Sequence, residues 1–162
     1  MKVEFNISGL DGVLATLRSL PPEIVSKRGG PVKLALAKGA RVIRAEAANN
    51  LRSAIAKDGD VSTGLVEKSL IVSRGKEPTG GKGERYLVRV KRRSYPVKGG
   101  DPVTTLKTAH LLEYGSAHQP ATPWLRPAFA AKAREAIDVT VKDLNRRIAL
   151  VVKKLAAQNK GR

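Results

Sequence analysis

Residues 31–57, PVKLALAKGARVIRAEAANNLRSAIAK, decide the fold because they predict one long helix. Pro31 is a favourable first helical residue, since the N–H that proline lacks would have no partner at that position. Basic side chains mark one face of the predicted helix: Lys33, Arg41, Arg44 and Arg52. The opposite face is apolar, because such side chains recur every three or four residues: Val32, Leu36, Ala40, Ile43, Ala47, Leu51 and Ile55.

A second long helix is predicted for residues 127–157, where an apolar stripe of the same period continues to Leu155. Towards the other end of the chain, residues 3–7 alternate apolar and polar side chains, as a short strand does. Residues 10–20 return to the helical period and end at two prolines, which cannot continue a helix.

Two strands are predicted between the long helices, over residues 65–72 and 86–91, and we expect them to pair antiparallel. The Gly- and Pro-rich residues 74–83 predict a flexible loop between them. A second flexible loop is predicted over residues 95–108, followed by a short strand at 111–115.

These elements predict a single α+β domain over residues 1–157. In it the long helix of the N-terminal half and the C-terminal helix pack on a small antiparallel sheet with long flexible loops. The basic tail, residues 158–162, is expected to fray. A chain of 162 residues is long enough to bury one hydrophobic core without disulfides or metals.

The charge of the chain indicates a polyanionic partner, an acidic protein surface, or both. Lysine and arginine total 31 against 14 aspartates and glutamates, a net charge of +17. The excess lies in three blocks, residues 31–57, 74–98 and 132–162; the middle block holds nine basic and two acidic residues.

Several classes of protein are excluded by composition. The chain has no cysteine, so it has no disulfide scaffold, cysteine-ligated metal or thiol nucleophile. The start of the sequence lacks the apolar core of a signal peptide, and no run approaches 18 apolar residues. We therefore expect a soluble protein made in the cytoplasm, with no membrane contact.

No motif for catalysis, cofactor binding or metal binding is found. The glycines around Lys82 lack both the spacing and the following hydroxyl residue of a nucleotide-binding loop. His110 and His118 are the only histidines, and no carboxylate or cysteine cluster accompanies them in sequence. Neither a nucleophile elbow nor a His-x-x-Glu pattern occurs, so we expect no enzyme activity, no cofactor and no metal.

The densest basic patch is expected to face a partner. An aromatic side chain, Tyr95, follows it and could stack on a base while the cations meet phosphates. The alternative is a solvated strand edge whose charges prevent unwanted strand pairing. The partner-facing residues that we predict in this patch are Arg89, Lys91, Arg92 and Arg93.

The segment 111–129 has a different character, because it combines an apolar run, a glycine, a proline-fixed turn and the only tryptophan. Its pieces LEYGS (112–116), QPA (119–121) and PWLRPAF (123–129) resemble the signature of the HK-type minor tail and neck proteins that join head to tail in long-tailed phages. The order of the predicted elements is also similar to that family, across nearly the whole chain. The highly charged hairpin departs from it.

The resemblance implies an α+β structural protein of the virion, without catalysis, made in the bacterial host. It would act as a neck or tail-completion protein in a ring, expected to be a hexamer, at the head–tail junction or the upper end of the tail. Other phage neck and tail proteins would be its partners. The architectural and interface residues that it implies are Glu113, Tyr114, Gly115, Pro123, Trp124, Pro127 and Phe129.

Two questions stay open in the sequence. The basic surface could face acidic partner rings or the DNA that passes through the channel. The alternative function is a monomeric or dimeric protein that binds nucleic acid non-specifically, and it rests on charge alone.

Overall fold

Four helices and one antiparallel hairpin form an α+β fold in the computed structural model, which describes residues 30–57, 62–76, 84–96 and 103–159. The elements are, in chain order, helix α1 (Pro31–Lys57), helix α2 (Leu65–Ser69), strand β1 (Leu70–Arg74), strand β2 (Tyr86–Val90), helix α3 (Thr105–Tyr114) and helix α4 (Leu125–Asn159). The predicted strand 3–7 and helix 10–20 lie outside the described residues.

The two long helices, α1 and α4, pack side by side and run antiparallel. Lys38, early in α1, bonds to Asp143 in the second half of α4, whereas Asn50, late in α1, bonds to the residue that precedes α4. Gly39 allows the close approach, because an added Cβ would lie 2.0 Å from Thr140 Oγ1. Helix α4 extends from Leu125 to Asn159, two residues beyond the predicted helix at each end.

The predicted antiparallel pairing of the two strands is confirmed. Leu70 is opposite Val90 and Arg74 is opposite Tyr86. Backbone hydrogen bonds continue the ladder by one residue pair at each end, from Gly75 N to Arg85 O and from Lys91 N to Ser69 O. One face of this hairpin contributes Leu70, Val88 and Val90 to the core.

The N-terminal half of the predicted first strand is wrong, because residues 65–69 form helix α2. The hydroxyls of Ser62 and Thr63 accept hydrogen bonds from the backbone N–H groups of Gly64 and Leu65. Gly64 has a φ of +67°, which glycine adopts at little cost, and this turn starts the helix.

The predicted strand at 111–115 is also wrong, because its first four residues are the last four of helix α3. Thr104 caps this helix by accepting a hydrogen bond from Lys107 N. The predicted loop 95–108 is correspondingly shorter, since the helix begins at Thr105 and an antiparallel bridge joins Ser94 to Thr104. The apolar pair Leu111 and Leu112 fits a strand as well as a helix, which explains the error.

The core lies where α1, the hairpin, α3 and the start of α4 meet. Alanines dominate the α1 side, and Trp124 is the largest fully buried side chain. Lys33, predicted on the basic face of α1, is instead buried, and its Nζ lies 3.4 Å from Glu84 Oε1 at the loop end of the hairpin. The core cluster comprises Ala47, Leu51, Ala54, Val66, Leu70, Val90, Ala109, Leu112, Trp124 and Ala128.

Candidate functional site: the α3–α4 joint and the basic hairpin

The carboxylate of Glu113 joins two helices. Glu113 is in the last turn of α3, and its side chain caps the N-terminus of α4. Oε2 accepts hydrogen bonds from Trp124 N at 2.9 Å and Leu125 N at 2.8 Å, and Oε1 accepts one from Arg126 N at 3.1 Å. These are N–H groups that a helix start leaves without partners, so one distant glutamate replaces a local capping residue.

Arg126 completes the joint from the other side. Its Nε donates to Glu113 Oε1 at 2.8 Å and its Nη2 donates to the backbone carbonyl of Glu113 at 3.1 Å. The glutamate side chain is only 6% exposed, whereas that of Arg126 is 60% exposed. The guanidinium therefore neutralises a buried carboxylate while one edge of it faces solvent.

The charged form of Glu113 is the stable one. Burial by itself raises the pKa of the Glu113 carboxyl, but the hydrogen bonds from Leu125, Trp124 and Arg126 outweigh it and hold the pKa below its ordinary value. The positive end of the α4 dipole favours the same charge. The joint is therefore built around a carboxylate that stays ionised at neutral pH.

Trp124 fixes the joint to the rest of the core. The indole is 1% exposed, and its Nε1 is 3.4 Å from the backbone oxygen of Ala109 in α3. The Trp124 carbonyl accepts a hydrogen bond from Asn50 Nδ2 of α1 at 3.2 Å. One residue thus connects three helices, as expected for the only tryptophan of an aromatic-poor core.

Gly115 lets the chain leave α3 and turn back. Its φ is +76°, and an added Cβ would lie 2.8 Å from Ala121 N. The turn that follows is closed by backbone hydrogen bonds from Ser116 N to Gln119 O and from Thr122 N to Leu112 O. The predicted architectural role of this glycine therefore has a steric and a conformational reason.

The remaining residues of the predicted architectural set point outward. Tyr114 is 57% exposed and Phe129 is 40% exposed, while Pro123 and Pro127 are also exposed. For Phe129, which the sequence predicts as an architectural or interface residue, this exposure excludes burial in the core of the single chain. The Arg126 guanidinium stacks over the Tyr114 ring at 4.9 Å from its centroid, and the His110 ring lies 4.6 Å from the same ring.

The basic patch of the sequence lies on β2 and the residues after it. Arg89, Lys91, Arg92 and Arg93 are all exposed. The Nε of Arg89 donates to Ser73 Oγ across the hairpin at 2.7 Å. In the part of the chain that the structure describes, no carboxylate lies within ion-pair distance of these four cations.

A buried threonine holds this basic segment, and the sequence did not single it out. Thr105 Oγ1 donates to Lys91 O at 2.7 Å and accepts from Arg93 N at 2.9 Å. Arg126 and Asn50 were also missed as site residues. Arg126 stands inside the PWLRPAF piece, but no pattern in the sequence reveals that Thr105 or Asn50 contacts residues so distant along the chain.

The described residues contain no group of three or more histidines, cysteines, aspartates or glutamates that could hold a metal ion. His110 packs on Tyr114, and His118 N bonds to Ser116 Oγ within the turn. Among the described residues no helix is both long enough and apolar enough to cross a membrane.

Protein-family models, curated proteins and solved structures were all compared with the chain, and none of them matches it.

Proposed function

We propose that this chain is a structural virion protein of a long-tailed phage, placed at the head–tail junction as a neck or tail-completion protein. It acts by assembly, as a homo-oligomeric ring that connects the head to the tail tube and contacts other neck and tail proteins. The observation that carries the proposal is that the residues resembling the family signature divide into two sets. One set builds the joint, and the other faces solvent beside it.

The buried set makes the joint rigid. Glu113, Gly115 and Trp124 fix the direction of α4 relative to α3 through a buried charge, a turn that favours glycine and an aromatic anchor. A ring subunit benefits from this rigidity, because an interface that is ordered in advance loses little conformational entropy on assembly.

The exposed set has the composition of a protein interface. Tyrosine and arginine are the residue types that contribute most at such interfaces, and here Tyr114 and Arg126 are stacked in a fixed arrangement. The glutamate that holds Arg126 also orders this exposed face. A heterologous contact through this face, repeated around an axis, closes a ring.

The experiment is light scattering behind size-exclusion chromatography, on nuclease-treated protein with and without the head and tail proteins of the same phage. We expect a ring, or a monomer that joins rings when those partners are added. Tyr114→Ser tests the face, because its ring is exposed and its loss leaves the core intact. Leu34→Ser is the matched control, because Leu34 is also an exposed hydrophobic residue, in the first turn of α1.

Loss of assembly in Tyr114→Ser with normal assembly in the control supports the proposal. Equal assembly in both variants removes Tyr114 from the interface. A wild-type protein that forms no ring and ignores the partners contradicts the proposed function itself.

A second candidate function is non-specific nucleic-acid binding by a monomer or dimer. The observation in its favour is the set of exposed cations after β2 that have no carboxylate partner among the described residues. It predicts salt-sensitive binding to duplex DNA and indifference to phage head and tail proteins. The same chromatography separates the two functions by ring formation and by the response to those head and tail proteins.

A further inference from the structure

The hairpin has two chemically different faces. Side chains alternate along a strand, so Val88 and Val90 face the core while Arg85, Leu87 and Arg89 face away from it. Leu87 and Arg85 lie over Gly75 of the opposite strand, within 3.2 Å of where its Cβ would be. The outward face is therefore a two-stranded ribbon with a defined row of side chains.

Cations dominate this row. Arg85, Arg89 and Lys91 lie on the outward side, with Leu87 between the first two. The ladder reaches Lys91 through the hydrogen bond from its N–H to Ser69 O. All three are exposed, and none has an ion-pair partner among the described residues. At about 3.4 Å per residue, the row spans about 20 Å.

The Glu84 carboxylate, at the loop end of the hairpin, faces away from this row. Glu84 belongs to the core-facing alternation and is occupied there by Arg74, whose Nε and Nη2 donate to its two oxygens at 2.8 and 3.0 Å. Lys33 of α1 approaches the same carboxylate at 3.4 Å. Among the described residues, no carboxylate is therefore paired with the cations of the outward row.

The charge of the chain and its described carboxylates make a second copy an unfavourable occupant of this row. Each copy carries +17, and five of the seven described carboxylates already have ion-pair partners within their own chain. The occupant must bring a regular series of negative charges. Duplex DNA does so, and its major groove is wide enough for a two-stranded ribbon.

We propose that the outward face of the hairpin is a sequence-independent site for duplex DNA, in which Arg85, Arg89 and Lys91 contact phosphates. Arg89 is oriented by its bond to Ser73 Oγ, and the chain at Lys91 is held by Thr105. This site deepens the proposed function and rests on it for the source of the DNA, which is the duplex that passes through the neck. Binding itself is measurable on the isolated protein.

The test is fluorescence anisotropy of a short mixed-sequence duplex, titrated with nuclease-treated protein between about 50 and 200 mM salt. The triple variant Arg85→Ala, Arg89→Ala, Lys91→Ala is compared with a control triple on α4. That control, Lys142→Ala, Arg146→Ala, Lys153→Ala, removes the same charge from exposed residues that also have no ion-pair partner in the described chain.

Each phosphate contact contributes about 0.9 to the slope of log affinity against log salt. We expect the hairpin triple to reduce the magnitude of that slope by about 2.7 and the affinity at about 0.1 M salt by up to about 500-fold. The control triple should change both much less. Thermal unfolding followed by circular dichroism checks that both triple variants are folded. If the hairpin triple is unfolded, Arg85→Ala alone replaces it, with an expected slope change of about 0.9.

Equal losses in the two triples would mean diffuse attraction and would overturn the site, as would a wild-type protein that does not bind the duplex. If poly-L-glutamate binds through the same three cations and duplex DNA does not, the face binds an acidic protein instead. The two proposals fail separately. A protein that forms no ring and ignores the head and tail partners, but shows a normal duplex slope, overturns the proposed function. Ring formation with no effect of the hairpin triple on duplex affinity overturns only the DNA site.

Discussion

Removing the Glu113 carboxylate is the perturbation that tests the joint most directly. Glu113→Ala deletes the cap of α4, because it leaves the N–H groups of Trp124 and Leu125 without their acceptor, at about 1–3 kcal/mol for each group. The contact with the exposed Arg126 adds less than about 1 kcal/mol, because water screens it. We expect a total loss near 3 kcal/mol, a large part of the stability of a small domain.

The assay is urea unfolding followed by circular dichroism, with Glu67→Ala as the matched control. Glu67 also binds an arginine, Arg52, at 2.7 Å, but their side chains are 36% and 61% exposed. We expect this control to lose less than about 1 kcal/mol. Equal losses for the two glutamates would refute the argument that the carboxylate holds α4 in place.

The pH dependence gives a second readout of the same group. Because the pKa of Glu113 is lower in the folded protein, its contribution is complete above the ordinary carboxyl value of 4.5 and is lost as the pH falls through the folded pKa. Glu113→Gln keeps the shape and removes the titration. The stability difference between wild type and this variant should therefore shrink as the pH is lowered from 6 towards about 3. A constant difference would contradict an ionised cap.

Three further substitutions test the packing, each by thermal unfolding. Gly115→Ala should lower the stability more than Gly64→Ala. Both glycines have positive φ, but an added Cβ would lie 2.8 Å from backbone at Gly115 and 4.0 Å from the nearest atom at Gly64. Equal losses of stability would contradict a steric role for Gly115. Gly39→Ala should push α1 away from α4 and lower the free energy of unfolding by more than about 2 kcal/mol. Adding Thr140→Ala should restore part of that stability, and no recovery would contradict the predicted clash. Thr105→Val removes two hydrogen bonds and should lower the free energy of unfolding by about 1–3 kcal/mol. An unchanged melting temperature would contradict the role of Thr105 in holding the basic segment.

Much of the fold could be predicted from local patterns. The helix over residues 31–57 has the predicted boundaries, since a long apolar period that starts at Pro31 allows few alternatives. The antiparallel pairing of the strands follows from their alternation and the connecting glycines. Residues 65–69 and 111–114 were assigned to strands and are helical, because a short apolar run is compatible with both states and the packing partner decides between them.

The candidate site was predictable in part. Glu113, Gly115 and Trp124 were identified as architectural residues, and their contacts give physical reasons for that role. Phe129 is 40% exposed, and the sequence left open whether it lies in the core or at an interface, because an aromatic residue in a helical pattern does not reveal which side of the helix meets a neighbour.

The sequence by itself determined the long helices, the hairpin, the net charge of +17 and the absence of cysteine chemistry, because these depend on composition or on contacts between near neighbours in the chain. Only the tertiary structure decided which charges are neutralised. It brings Arg126 to Glu113 and Glu84 to Lys33, and it leaves Arg85, Arg89 and Lys91 facing outward without a described carboxylate partner. The physical reason is that an ion pair depends on distances of a few ångströms between side chains, and those distances are set by how the helices pack on the hairpin.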